Sequence, residues 1–88
     1  MKIVFSDQAW EDYLHWQVAD PKTHQRINDM IKQTIRTPFQ GVGKPEPLKG
    51  DLSGWWSRRI TKEDRMVYRV SGKGDAQALE LAQLRFHY

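Results

Sequence analysis

The chain contains no cysteine, which excludes a disulfide framework and any thiolate zinc centre. Its purely apolar runs are short, such as Ile3-Val4-Phe5, whereas a signal-peptide core is longer and a membrane-spanning helix takes roughly 20 residues. A cytoplasmic protein with no membrane contact is therefore expected. Internal repeats, low-complexity tracts and linkers are missing too, so the 88 residues are expected to form one domain, 1–88, held by its core or by a partner.

What the chain does have is bulk and an uneven charge. Four Trp, three Phe and three Tyr can fill a small core. Residues 1–40 carry five basic and five acidic side chains, whereas residues 41–88 carry nine against six and hold the whole net charge of +3. A basic half of this kind is the electrostatic footprint of a phosphate-binding surface.

Local patterns give the elements. Lys2 to Phe5 reads as a strand, and Ser6 as the N-cap of a first helix with Trp10, Tyr13, Leu14 and Trp16 as its apolar positions. Asp20-Pro21 ends that helix and opens a second, in which Ile27, Met30, Ile31, Thr34 and Ile35 share one face until Thr37-Pro38 stops it. Phe39 to Gly54 holds four of the six glycines and two of the four prolines, and is expected to be a sixteen-residue loop. Strands are expected over Trp55 to Thr61, Arg65 to Val70 and Leu79 to Tyr88. The order implies an α+β fold: an N-terminal strand and two helices on one face of an antiparallel sheet completed by a three-strand meander. Alternation then turns Met66, Tyr68 and Val70 toward the helices, with Leu84 and Phe86 as partners. Arg65, Val67 and Arg69 point to the open face, with Arg85 and His87.

Chemistry concentrates on that open face. Lys44-Pro45-Glu46-Pro47-Leu48-Lys49 sets a carboxylate between two prolines that stiffen the backbone and two lysines that favour its ionised form. Glu46 is a candidate general base, helped by the cationic forks of Arg58, Arg59 and Arg65. The competing reading is a stiff loop with solvated charges. His87 is a candidate proton donor near neutral pH. Tyr88 would point to the opposite face if the last strand ran regularly. His15 and His24 fall on different helices and no acidic or histidine cluster has metal-ligand spacing, so no metal and no cofactor are expected. Gly41-Val42-Gly43-Lys44 lacks the length and context of a nucleotide-binding loop. Trp55-Trp56 reads as a core plug and an interface anchor before it reads as a base-stacking platform.

Motifs over nearly the whole chain resemble one family: Trp10 with Asp12-Tyr13-Leu14 and Trp16, Arg36-Thr37-Pro38-Phe39, Gly43-Lys44-Pro45-Glu46-Pro47-Leu48-Lys49, Leu52-Ser53-Gly54, Trp56-Ser57-Arg58-Arg59-Ile60-Thr61, Arg65 with Val67-Tyr68, and the ending Arg85-Phe86-His87-Tyr88. The chain resembles the YoeB-type toxins of bacterial type II toxin-antitoxin modules, within the RelE-like superfamily of ribosome-dependent mRNA interferases. Phe86 stands where that family more often has tyrosine.

The resemblance implies a RelE-like fold and metal-independent cleavage of mRNA in the ribosomal A site. It also implies roles: Glu46 as base, His87 as acid, Arg65 as transition-state stabiliser, Lys49 and Arg59 assisting, Tyr88 orienting the nucleotide, with Lys44 and Arg58 among the substrate-binding cations. Implied partners are a YefM-type antitoxin, the ribosome with its mRNA, a second copy of the chain, and operator DNA only through the antitoxin complex. Two other readings use the same surface: a non-catalytic nucleic-acid-binding or corepressor module, and a protein-interaction domain. A pure binding surface gains nothing from Glu46, which repels phosphate.

Overall fold

The computed structural model describes residues 1–87; the expectations for Tyr88 lie outside them. Strand β1 (Lys2–Phe5) ends at Ser6. The Ser6 Oγ accepts from the Ala9 amide at 3.0 Å and donates to the Ala82 carbonyl at 2.7 Å, so one hydroxyl caps α1 (Asp7–Ala19) and ties it to the sheet. Asp20 serves the next junction twice. Its amide closes α1 on the Trp16 carbonyl, and its carboxylate opens α2 (Pro21–Arg36) by accepting from the Lys22 and Thr23 amides and the Thr23 hydroxyl.

Those bonds, the Thr23 hydroxyl foremost and then the Thr23 amide, hold the Asp20 carboxyl below its ordinary value of 3.8. A carboxyl depressed in the folded state stabilises above the unfolded value, and the contribution is lost as pH falls through the folded one. Asn caps without titrating. Below about pH 4, wild type should therefore lose thermal stability more steeply than Asp20→Asn. Parallel melting-temperature curves for the two proteins would remove Asp20 from the acid response.

Helix α2 buries the expected face, with Thr23, Ile27, Met30, Ile31 and Thr34 inside, and Thr34 satisfies its hydroxyl on the Met30 carbonyl at 2.7 Å. Helix α1 is rotated from the expected orientation. Ala9 and Asp12 are its buried residues, Tyr13 and Trp16 pack half-buried against the core, and Trp10, Leu14 and Val18 lie exposed along one stripe. The cause is polar: Asp12 Oδ2 accepts from the Leu84 amide at 2.9 Å and Trp16 Nε1 donates to the Leu84 carbonyl at 2.8 Å, so α1 turns a carboxylate toward the sheet.

The sheet order is β1-β5-β4-β3-β2. Strands β2 (Glu46–Pro47), β3 (Trp56–Arg59), β4 (Arg65–Ser71) and β5 (Ala78–Gln83) run antiparallel in succession. Strand β1 lies parallel to β5, with Lys2 opposite Ala78 and Phe5 opposite Leu81, so the sheet is mixed where an antiparallel one was expected. The helices carry the chain from β1 to the far edge, and three antiparallel reversals bring it back beside β1 in the same direction. Both helices pack on one face. Ala9, Ile27, Met30 and Ile31 meet Met66, Tyr68, Leu79, Leu81 and Leu84 in one core.

Two expectations for the second half are corrected. The sixteen-residue loop contains strand β2 and a 3-10 turn at Gly50–Leu52. The last strand stops at Gln83 instead of running on through the C-terminus.

Candidate active site

Cross-strand register assembles the site. Glu46 pairs with Ser57, Ser57 with Val67, and Val67 with Gln83, giving one row across four strands on the face opposite the core. The adjoining row pairs Arg59 with Arg65. At about 4.8 Å per strand, the backbones of Glu46 and Gln83 are roughly 14 Å apart, and the row between is walled by Ser57 and Val67, both nearly fully buried.

Glu46 owes its place to β2. The Leu48 amide extends that hairpin by donating to the Trp55 carbonyl at 2.9 Å. Gly43, at φ +83°, brings the preceding loop against β3: its carbonyl accepts from the Arg59 amide at 2.7 Å, and a Cβ there would sit 3.0 Å from the Arg59 carbonyl. Glu46, Lys44, Lys49 and Arg59 are all exposed.

Arg65 reaches the same face in a different state. It is 8% exposed, and its Nη1 donates to the carbonyls of Thr61, Lys62 and Asp64 at 3.0, 3.2 and 3.1 Å. A guanidinium held this way is fixed in orientation before any substrate arrives. Arg58 is corrected outright. Alternation along β3 puts it on the helix side, where it is 0% exposed and donates to the Tyr68 hydroxyl and to the carbonyls of Thr37, Gln40 and Val42. It braces the loop that leads to Glu46 and does not face the substrate side. Burial first, opposed by Arg58, raises the Tyr68 phenol above its usual pKa.

His87 arrives through a break in the strand. A register shift between Val67 and Tyr68 lets Leu84 enter the core behind Leu79 and Leu81, which regular alternation forbids. Phe86 does not follow Leu84 inward as expected: it takes φ +65° and is 59% exposed, with the Arg85 guanidinium 4.4 Å over its ring. His87 then lines a shallow pocket of about 250 Å³ with Gln8, Asp12, Gln83, Arg85 and Phe86. Gln83 is the link. It ends the Glu46 row, lines the His87 pocket, and donates from Nε2 to the Arg85 carbonyl at 3.0 Å.

The tryptophan pair divides its roles. Trp56 packs toward the core and against Phe39, ring centroids 4.6 Å apart, whereas Trp55 is covered by the Arg69 guanidinium at 4.4 Å. Arg69 is also 3.1 Å from the Glu80 carboxylate; a bond from Ser71 first, then Arg69, holds the Glu80 carboxyl below its usual pKa. Trp55 is therefore no bare interface anchor. Among the described residues no group of three or more His, Cys, Asp or Glu could hold a metal ion, and no helix is long and apolar enough to cross a membrane.

Asp12, Asp64, Ser57 and Gln83 were not singled out from the sequence. Asp12 reads there as an ordinary acid near a helix N-terminus. A turn at Lys62-Glu63-Asp64 follows from the gap between the strands expected at Thr61 and Arg65, but neither its capping by the Thr61 hydroxyl nor its reach to the C-terminal tail has a local signal.

Comparison with known proteins places the chain among relatives of one kind. A family described as the YoeB-like toxin of bacterial type II toxin-antitoxin systems matches residues 5–88. Toxin YoeB of Escherichia coli K12 is 52% identical over 88 residues, covering 100% of both chains. A YoeB/ParE toxin structure from Agrobacterium tumefaciens superposes with a TM-score of 0.96 at 58% identity, covering 100% of both. Staphylococcus aureus YoeB, solved as a dimer, gives 0.88 at 40% identity; its heterotetrameric complex with YefM gives 0.86 at 42%. Both cover 100% of this chain and 98% of the other.

Proposed function

Because the chain belongs to the YoeB-like toxins of bacterial type II toxin-antitoxin systems, we propose that its open sheet face is the active site of a ribosome-dependent endoribonuclease. The observation that carries this reading is the row that starts at Glu46 and ends at the His87 pocket, flanked by Arg59 and Arg65.

Glu46 takes the proton from a ribose 2′-OH, whose oxygen attacks the adjacent phosphorus. As the new bond forms, the bond to the 5′ oxygen breaks and His87 supplies that oxygen with its proton. Products are a 5′-OH and a 2′,3′-cyclic phosphate, which a water molecule can open to a 3′ phosphate as the 2′ oxygen leaves and regains its proton. Arg65 stabilises the charge that grows on the phosphoryl oxygens, because its orientation is already fixed by three carbonyls. Lys49, Arg59 and Lys44 hold the flanking phosphates, and Tyr88 orients the scissile nucleotide. Arg58 takes no part in binding. Cleavage in the ribosomal A site needs no metal, since the acid and base carry both proton transfers. Primer extension on a defined mRNA in programmed ribosomes tests it: an A-site cut beyond the ribosome-only control is expected, and its absence would favour a non-catalytic nucleic-acid-binding module.

Partners follow from the relatives. A YefM-type antitoxin is the partner, by analogy with the Staphylococcus aureus YoeB-YefM complex; in the same proposal it neutralises the toxin and carries it to operator DNA. A second copy of the chain is a further partner, as in the Staphylococcus aureus dimer. The α1 stripe of Trp10, Leu14 and Val18, the last 85% exposed, suits that contact better than Trp55. Leu14→Glu should weaken dimerisation by at least about tenfold in sedimentation equilibrium; an unchanged dimer would move the contact elsewhere.

A further inference from the structure

The tail that carries His87 is held at two points, and the second is unusual. At the first, Leu84 is bonded through its amide and carbonyl to Asp12 and Trp16 and is itself buried. At the second, the Phe86 amide donates to Asp64 Oδ1 at 2.7 Å, and the Phe86 carbonyl accepts from the Arg65 amide at 3.0 Å. Phe86 holds a left-handed backbone at φ +65°, which an aromatic residue rarely adopts. Packing does not impose this, because the Phe86 ring lies largely in solvent. The two bonds from the β3–β4 turn do.

That turn is built to present the carboxylate. Asp64 Oδ2 accepts from the Thr61 hydroxyl at 2.7 Å, and the same hydroxyl accepts from the Glu63 and Asp64 amides at 3.1 Å each. The Asp64 carbonyl accepts from the Ile60 and Thr61 amides. Both carboxylate oxygens are thus engaged, one on the turn and one on the tail.

Resting on the ribonuclease reading above, we propose that Asp64 is a positioning residue for the reaction: by holding the Phe86 amide it fixes the kink that aims His87 along the Glu46 row. It touches no substrate. It acts on the proton donor through one backbone torsion, and the adjacent Arg65 amide couples the tail to the stabilising arginine. Since the geometry of the acceptor oxygen matters and its charge does not, three substitutions separate the possibilities. Asp64→Asn keeps an acceptor oxygen for the Phe86 amide while its NH2 gives up the bond accepted from the Thr61 hydroxyl, Asp64→Glu keeps the charge but moves the oxygen by one methylene, and Asp64→Ala removes both.

The measurement is single-turnover cleavage of mRNA in programmed ribosomes, taken to saturation with each protein. Asp64→Ala and Asp64→Glu should lower the saturating rate about 10- to 100-fold with little change in the half-saturating concentration, while Asp64→Asn retains most of the rate. Hydrogen exchange of the Phe86 amide, read on the same proteins, should quicken in Asp64→Ala and Asp64→Glu and stay slow in Asp64→Asn. Wild-type rates in Asp64→Glu, or an Asp64→Asn protein as slow as Asp64→Ala, would overturn the proposal. If Asp64→Ala does not fold, the Glu and Asn proteins decide alone. Failure of wild type to cleave would count against the ribonuclease reading, and the exchange data would still report whether Asp64 holds the tail.

Discussion

Glu46→Ala and His87→Ala are each expected to lower ribosome-bound mRNA cleavage by about two to four orders of magnitude, the range for loss of a positioned acid or base. Combining them should cost much less than the product of the single losses if the groups serve one concerted step. Neither side chain supports the core, since both are exposed, so melting temperatures should move little. A variant that keeps the wild-type single-turnover rate would take that residue out of the mechanism.

Arg58→Ala is expected to be the most destabilising single substitution of a charged residue, at about 3–5 kcal/mol. Its guanidinium is fully buried, and its donors go to the buried Tyr68 hydroxyl and to the carbonyls of Thr37, Gln40 and Val42, tying the loop to the core. The Tyr68 hydroxyl in turn donates to the Pro38 carbonyl at 2.6 Å, so the loss spreads along residues 37–42. Lysine lacks the planar fork and should rescue only a small part. Urea denaturation checks this: the midpoint should fall with the slope unchanged. A loss under about 1 kcal/mol would mean that the loop finds other donors.

How much of this was legible depends on the range of the interaction involved. Helix α2 was readable because Asp20-Pro21 caps it and its apolar residues repeat at 3.6; the pairing of Met66 and Tyr68 against the helices was readable from period two. The same period separates Arg58 from Arg59, yet charge alone grouped them on one face. Strand β2 left no local trace, because Glu46 and Pro47, following Pro45, become a strand only by pairing with β3. The α1 face was misjudged because tryptophan looks like core, whereas the deciding contact was Asp12 with Leu84, 72 positions away. The slip in β5 and the left-handed Phe86 likewise answer to distant partners. Glu46 and His87 stood out by their chemistry and by family likeness. Their placement at the two ends of one row did not.

The parallel pairing of β1 with β5 has a consequence for the toxin's own synthesis. Residues 2–5 find their only described strand neighbour in residues 78–81, and β5 is also the strand that joins β1 to the rest of the sheet. A nascent chain therefore makes both helices and most of the meander before the sheet can close. Contacts of such sequence separation form late, and a unit folds only when its last strand is free. The row from Glu46 to Gln83 is complete only once β5 has joined β4, so the proposed base and acid are brought together among the last events of folding.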